Sequence, residues 1–439
     1  MDNEKLKMDN CQLLTASSQL KKGYKQTEVG VIPSDWLLFP LEELTQKNRQ
    51  YTIVDGPFGS NLKTIHYRKS GIPIITSGYV TDGKFSASEY LYVDHEKFKQ
   101  EKRSAVKGGD IVMAKIGERC GASAILPKEH PEGILSGNAL KISIDENRFS
   151  TELIAQILWR HHTKGDFEIL RTTGAQPALS MANLKKYKIP LPPTKAEQTA
   201  IATALNDADA LITQLEKLIA KKRNIKQGAM QELLRPKEGW EVKKLGEVAT
   251  LKARIGWHGL TTAEYKKSGD YFLVTGTEFK NGFIDWENCF YVEEERYKQD
   301  KNIQIKEHDV LVTKDGTIGK VALIKSVPKP ATLNSGVFVI RPINNEFNPE
   351  FFYYLLLSEV FLKFLSQLSA GSTINHLYQK DFVSFQFLTT KTIEEQKKIA
   401  QILSDMDAEI EVLEKKLEKY KMIKQGMMQN LLTGRVRLV

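Results

Sequence analysis

Hydrophobic positions along this chain recur in two rhythms. Short apolar, β-prone runs such as Ile72-Pro73-Ile74-Ile75, Ile111-Val112-Met113 and Val310-Leu311-Val312 sit between Gly, Asp and Asn turns and read as strands. Helical spacing predicts one helix over Glu152–His162 and another over Pro349–Leu368. Two much longer amphipathic segments follow the strand-rich stretches. In the second of these, Met406, Ile410, Leu413, Leu417 and Tyr420 are spaced 4, 3, 4 and 3, the narrow a/d seam of a coiled coil. The first places Ala208, Ile212, Leu215, Ile219 and Lys222 in the same register. Lys222 weakens that seam, although its stem packs against apolar neighbours. Asp207 and Asp405 near the helix starts, and Lys226 and Lys424 near the ends, suit the helix dipole.

These two segments are copies of one another. The stretch beginning at Thr194 aligns without a gap on the one beginning at Thr392, at an offset of 198 residues, with about half the positions identical. Fainter similarity runs upstream, where Gly109-Asp110-Ile111-Val112-Met113-Ala114-Lys115-Ile116-Gly117 resembles His308-Asp309-Val310-Leu311-Val312-Thr313-Lys314-Asp315-Gly316. Trp36 answers Trp240. Each half is therefore a globular domain followed by a long helix. A helix of about 40 residues is roughly 60 Å long. The second globular domain begins where the first helix stops and ends where the second helix starts, so an antiparallel pair lets a compact domain join them. The expected fold is α+β: two pseudo-symmetric α/β domains joined by two long antiparallel coiled-coil helices. The expected boundaries are an N-terminal segment at 1–23, a first domain at 24–193, a central helix at 194–235, a second domain at 236–390, and a distal helix and tail at 391–439.

Composition narrows the function. The 439 residues suffice for several cores, and 41% hydrophobic content is enough to fill them. Lys plus Arg number 63 against 54 Asp plus Glu, and the resulting +9 suits a polyanionic partner. Cys11, Cys120 and Cys289 form no CxxC pair or disulfide framework, in keeping with a reducing compartment. No apolar run approaches the roughly 20 residues of a membrane helix, and the polar start lacks a signal-peptide core, so a cytoplasmic protein is expected. Enzymatic motifs fail on inspection. Pro192-Pro193 is followed by Thr194 rather than the aromatic residue of an adenine methyltransferase motif. Gly316-Thr317-Ile318-Gly319-Lys320 is too short for a phosphate loop, and His161-His162 is not a metal-binding HExxH. Glu241-Val242-Lys243 lacks a paired acid for nuclease chemistry. No catalytic or metal-ligating residue is expected.

The repeated helices end in Ile225-Lys226-Gln227-Gly228-Ala229-Met230-Gln231-Glu232-Leu233-Leu234 and Ile423-Lys424-Gln425-Gly426-Met427-Met428-Gln429-Asn430-Leu431-Leu432-Thr433-Gly434. Each opens on a Glu-Gln pair, Glu197-Gln198 and Glu395-Gln396, and Thr27-Glu28-Val29-Gly30-Val31-Ile32-Pro33 precedes the first Trp. In these elements nearly the whole chain resembles the specificity subunits of type I restriction–modification systems. The resemblance implies two target-recognition domains, each reading half of a split, asymmetric sequence in double-stranded DNA, with the helices as spacer. It also implies docking of two methyltransferase subunits and, through the complex, restriction subunits. S-adenosylmethionine, ATP and Mg2+ would belong to those partners, and this chain would be non-catalytic and without a cofactor of its own.

DNA reading needs Arg, Lys, Asn or Gln at base edges and cations at phosphates, so Gly-rich loops bearing such side chains are the candidates. In the first domain they supply Asn61, Lys63, Lys115, Arg119 and Gln176; in the second, Arg254, Trp257, His258, Lys314, Thr317, Lys320, Ser372 and His376. Lys115 and Lys314 occupy matching places after an apolar strand and are expected to grip phosphate. Asn61, Arg119, Gln176, Arg254 and His258 lie where the halves diverge and are expected to read bases. Each loop is also readable as a plain turn in which Gly supplies positive φ. The alternative function is a coiled-coil protein-interaction scaffold without DNA specificity.

Overall fold

A computed structural model of the chain describes residues 22–172, 177–254, 260–368 and 376–438. These residues fall into two compact units, one comprising the described residues up to Gln214 with those from Leu417 onward and the other those within Leu215–Lys416. The long helices, Lys195–Leu233 (central) and Ile393–Leu431 (distal), are each divided between the units instead of standing apart from them.

The same strand order occurs in both units. In the first, an antiparallel sheet runs Ser123–Ile125, Ile111–Ala114, Ala139–Ile142, Ile53–Asp55. The second repeats it as Val321–Leu323, Val310–Thr313, Val337–Pro342, Ala249–Lys252. A second sheet in each unit is built on a parallel pair, Ile72–Ile75 with Gly133–Leu135 and Tyr271–Val274 with Ala331–Leu333. The central strands are buried on both faces, which explains why they read as uninterrupted apolar runs without alternation. Between the sheets each unit carries a two-residue hairpin, Asp82-Gly83 and Asn281-Gly282, with left-handed φ at all four positions. Gly83 lies against Trp159, where a Cβ would be tight, and Gly282 against Tyr353, where a Cβ would collide.

A buried glutamine joins each globular part to its long helix. The Gln198 amide donates to Pro192 O (3.0 Å) and accepts from Ser150 N (3.0 Å); Gln396 donates to Thr390 O (3.3 Å) and accepts from Asn348 N (2.7 Å). Ser150 and Asn348 are the N-caps of helices Thr151–Lys164 and Pro349–Leu357. One side chain in each repeat thus ties the last strand, the long helix and a packing helix together, and both are nearly inaccessible to solvent. Glu197 is also buried, held by Arg437, which bonds Asp35 as well; Tyr24 Oη donates to Gly434 O. The tail after the distal helix is thereby fastened to the first unit, and Leu431 and Leu432 join the core that contains Trp36.

Within each unit the two long helices pair antiparallel. Asp209 meets Lys424 at 2.7 Å in the first unit, and Asp407 meets Lys226 at 2.5 Å in the second. The four residues are two identical pairs at the repeat offset of 198. Ile212, Leu215, Ile219 and Ile410 of the expected seam are buried, while Ala208, Met406, Leu413, Leu417 and Tyr420 are half-buried. Lys222 reaches Glu409 at 2.6 Å, so the polar seam position is satisfied by an acid on the partner helix. One element differs from expectation. The helix expected over Pro349–Leu368 is two helices, Pro349–Leu357 and Glu359–Leu368, inclined by 61°. The Ser358 hydroxyl donates to Leu355 O and accepts from Val360 N, competing with the helical ladder and turning Phe361 into the core. Among the described residues no single helix is long and apolar enough to cross a membrane.

Two predictions concern stability. Asp407→Ala leaves Lys226 and the Tyr354 hydroxyl without their acceptor. It is expected to cost about 1–3 kcal/mol in urea unfolding, with partial recovery in the charge-swapped D407K/K226D variant. Lys141 is buried, donates to Ala105 O at 2.5 Å, and is pushed down to about 8 by desolvation. The unfolded chain then binds a proton that the folded one lacks between pH 8 and the ordinary lysine value, so stability contributed here rises with pH across that window. Lys141→Met should flatten this part of the pH–stability curve; an unchanged slope would refute the assignment.

Candidate nucleic-acid interface

Antiparallel pairing in the four-stranded sheets brings the candidate loops to one sheet end in each unit. In the first, Ile53–Asp55 and Ile111–Ala114 both leave the sheet there, and Ala139–Ile142 enters it. Lys115 N donates to Asn138 O, Leu179 N to Lys115 O and Gly117 N to Pro177 O, each at 2.9 Å. The loops after residues 55 and 114, the turn at 136–138 and the segment around 177–179 are therefore one cluster. The second unit repeats it: Lys314 N donates to Gly336 O and Leu377 N to Lys314 O, both at 2.8 Å.

Side chains on these matching frames differ. Lys115 pairs with Asp55 at 2.5 Å, both only slightly exposed, and its ammonium stands 4.2 Å from the centroid of the Phe58 ring. The exposed Arg103 shares the same carboxylate at 2.7 Å. Lys115, expected to grip phosphate, is thus paired inside its own unit, and the exposed cation of the triad is Arg103. In the second unit the residue after the matching strand is Ala253, with no carboxylate to offer. Lys314 lies 5.2 Å from the Phe338 ring and has no carboxylate partner among the described residues. The two lysines that look equivalent in sequence are electrostatically different.

Arg254 is a second correction. It is 2% exposed, and its guanidinium donates to Leu333 O, Gln299 Oε1, Arg296 O and Thr332 Oγ1. An arginine so enclosed cannot offer its fork to a base edge; it fastens the parallel strand pair to the segment around residue 299. Asn61, Lys63, Arg119 and Lys320 are exposed at the cluster or next to it. Arg119 is partly restrained by a bond to Val80 O (2.5 Å). Thr317 is exposed, and its carbonyl accepts from Thr313 Oγ1. His376 bonds Asp315 and packs on Tyr378, joining two candidate loops. Gln176, Trp257, His258 and Ser372 lie outside the described residues.

Sequence reading missed Asp55, Phe58, Arg103 and Glu278. The Glu278 carboxylate accepts from Thr275 N, Gly276 N and the hydroxyls of Thr275 and Thr277, locking a turn next to the second cluster. The signal for Asp55 was its place at a strand end beside Gly56; nothing in sequence pointed to Arg103, which is 48 residues away. His161, considered above for metal binding, is buried and pushed down to about 3, and it bonds the Tyr187 hydroxyl. Its approach to Asp166 at 3.5 Å is therefore not an ion pair at neutral pH. Among the described residues no His, Cys, Asp and Glu cluster is arranged for a metal ion.

Comparison with known proteins agrees with this duplicated arrangement. The family model described as Type I restriction modification DNA specificity domain matches twice, over residues 33–227 and 237–421. The chain is 27% identical over 438 residues to a protein of Methanocaldococcus jannaschii named "Putative type I restriction enzyme MjaX specificity subunit", covering 95% of this chain and 97% of that protein. It is likewise 27% identical over 390 residues to the MjaVIII specificity subunit of the same organism, covering 83% and 86%. Among solved structures, the type I restriction–modification S subunit from M. genitalium shares the fold with a TM-score of 0.60 at 16% identity, over 94% of this chain and 97% of that one.

The difference between the two lysines is measurable. Lys314→Ala should lower the salt dependence of DNA binding, its log–log slope falling by about 1. The double variant Lys115→Ala/Asp55→Ala, which removes a neutral pair and leaves Arg103, should leave that slope unchanged. Equal slopes for both variants would contradict the assignment.

Proposed function

Because the chain belongs to the type I restriction–modification DNA specificity family, we propose that it is the non-catalytic subunit that reads a split, asymmetric DNA target and recruits methyltransferase subunits to it. The observation that supports this most directly is one sheet-end cluster built twice on the same topology and furnished with different side chains. A repeated frame with divergent loops suits two half-sites of different sequence, read by base-edge contacts while cations hold the phosphates. The helix pair is the spacer. Its sequence is retained in both repeats, in keeping with a fixed distance and with two copies of one partner.

Docking of two methyltransferase subunits is supported by apolar side chains that the helices leave in water, among them Leu218, Ile225, Ile402, Val412, Met422 and Ile423. In this reading adenine methylation with S-adenosylmethionine, and cleavage driven by ATP with Mg2+, belong to the methyltransferase and restriction partners. The complex acts on DNA in the cytoplasm.

The decisive experiment compares methylated sites in a genome with and without this chain. One bipartite sequence should lose methylation when the chain is removed, and replacing the second domain should change one half of that sequence only. Inserting one heptad into the central helix should alter the spacing between halves. A chain that leaves the methylation pattern untouched, and binds DNA without sequence preference beside its methyltransferase partner, would instead be an interaction scaffold.

A further inference from the structure

Phe58 is 44% exposed, yet it is closely held. The Lys115 ammonium supports its ring at 4.2 Å, and that ammonium is itself fixed by Asp55. Arg103 steadies Asp55 from the solvent side. Gly137 lies along the ring edge, where a Cβ would come within 3.2 Å of the ring carbons. Pro57 restricts the backbone just before it, and Asn61 N donates to Phe58 O at 3.1 Å. A single exposed apolar side chain is ordinary. An exposed ring orientated by a largely buried ion pair, at the centre of a polar loop cluster, is not explained by packing.

We propose that Phe58 is a specificity-determining, DNA-contacting residue whose ring lies against an apolar base surface in the half-site read by the first unit. Lys115 and Asp55 are its positioning residues. The inference rests on the DNA-reading function proposed above. Its ligand is apolar base surface, which has two sources: the 5-methyl group of thymine in the major groove, or the plane of a base partly unstacked by an inserted side chain. Phosphate does not suit the site, because the lysine beneath the ring is already paired and the ring carries no charge.

The test uses the complex with its methyltransferase partners and compares wild type, Phe58→Ala, Phe58→Leu and Lys115→Met. Each binds a duplex carrying the chain's own methylation site and an unrelated duplex of equal length. Phe58→Ala should weaken binding to the specific site by about 5- to 100-fold and leave the unrelated duplex unchanged. Lys115→Met should give a smaller loss than Phe58→Ala, greater on the specific site than on the unrelated duplex, a pattern that lost folding would not produce. Replacing each thymine of the half-site by uracil, and each base in turn by 2-aminopurine, separates the two sources. A methyl contact appears as one uracil position that weakens wild type but not Phe58→Ala, with Phe58→Leu retaining part of the affinity. A stacked plane appears as a fluorescence change in wild type that Phe58→Ala abolishes. Unchanged affinity in Phe58→Ala, equal weakening on both duplexes, or selective weakening with neither signature would overturn the proposal. If wild type itself fails to distinguish the two duplexes, the DNA-reading function is what has failed, and the proposal falls with it.

Discussion

Two reciprocal ion pairs, Asp209 with Lys424 and Asp407 with Lys226, set the register on which the rest of the chain depends. Their side chains are only about one-fifth exposed, in a seam whose other charged position, Lys222, is likewise matched by Glu409, so a slipped register would leave these charges partly desolvated and unpaired. Apolar contacts such as those of Ile212, Ile219 and Ile410 favour association, but a smooth seam tolerates sliding by a heptad. The ion pairs do not tolerate it. Because each pair is made of the same two residues from opposite repeats, a single solution to the register problem serves both units.

From that register the globular parts are carried by few contacts. Gln198 and Gln396 each satisfy a strand end and the capping residue of a packing helix with one amide, fixing how a domain sits on its helix. Asp110 and Asp309 close the same turn in both units by accepting from Lys107 N and Lys306 N. These shared polar residues build the frame. The halves differ in their cores, one rich in Ile and Leu and the other in Phe and Tyr, and also in what the sheet-end loops carry, as Asp55 against Ala253 shows.

Two candidate residues show how a binding role and a structural role share one signature. Arg254 and Lys115 are cations beside glycine-containing loops, as phosphate and base contacts would be. Arg254 is enclosed by four acceptors, and Lys115 by a carboxylate and a phenyl ring. Their partners come from 42 to 79 residues away for Arg254 and from 60 for the Lys115 carboxylate, separations over which no local pattern operates. Among the described residues Lys314 has no carboxylate partner, and Ala253 stands where the other unit has a strand-end acid, a difference visible only once strand pairing is known.

By itself the sequence determined the duplication, the two long helices and their seam, and the strand-rich character of the domains. These follow from periodicity and from matching residues at a constant offset, which are local or self-referential properties. Connectivity added the antiparallel direction. Tertiary structure alone decided the partners of the charged side chains, the break at Ser358, and which loop residues face solvent. Those outcomes depend on distant segments competing for the same hydrogen bonds and on how completely each group is desolvated, and neither is written in the order of neighbouring residues.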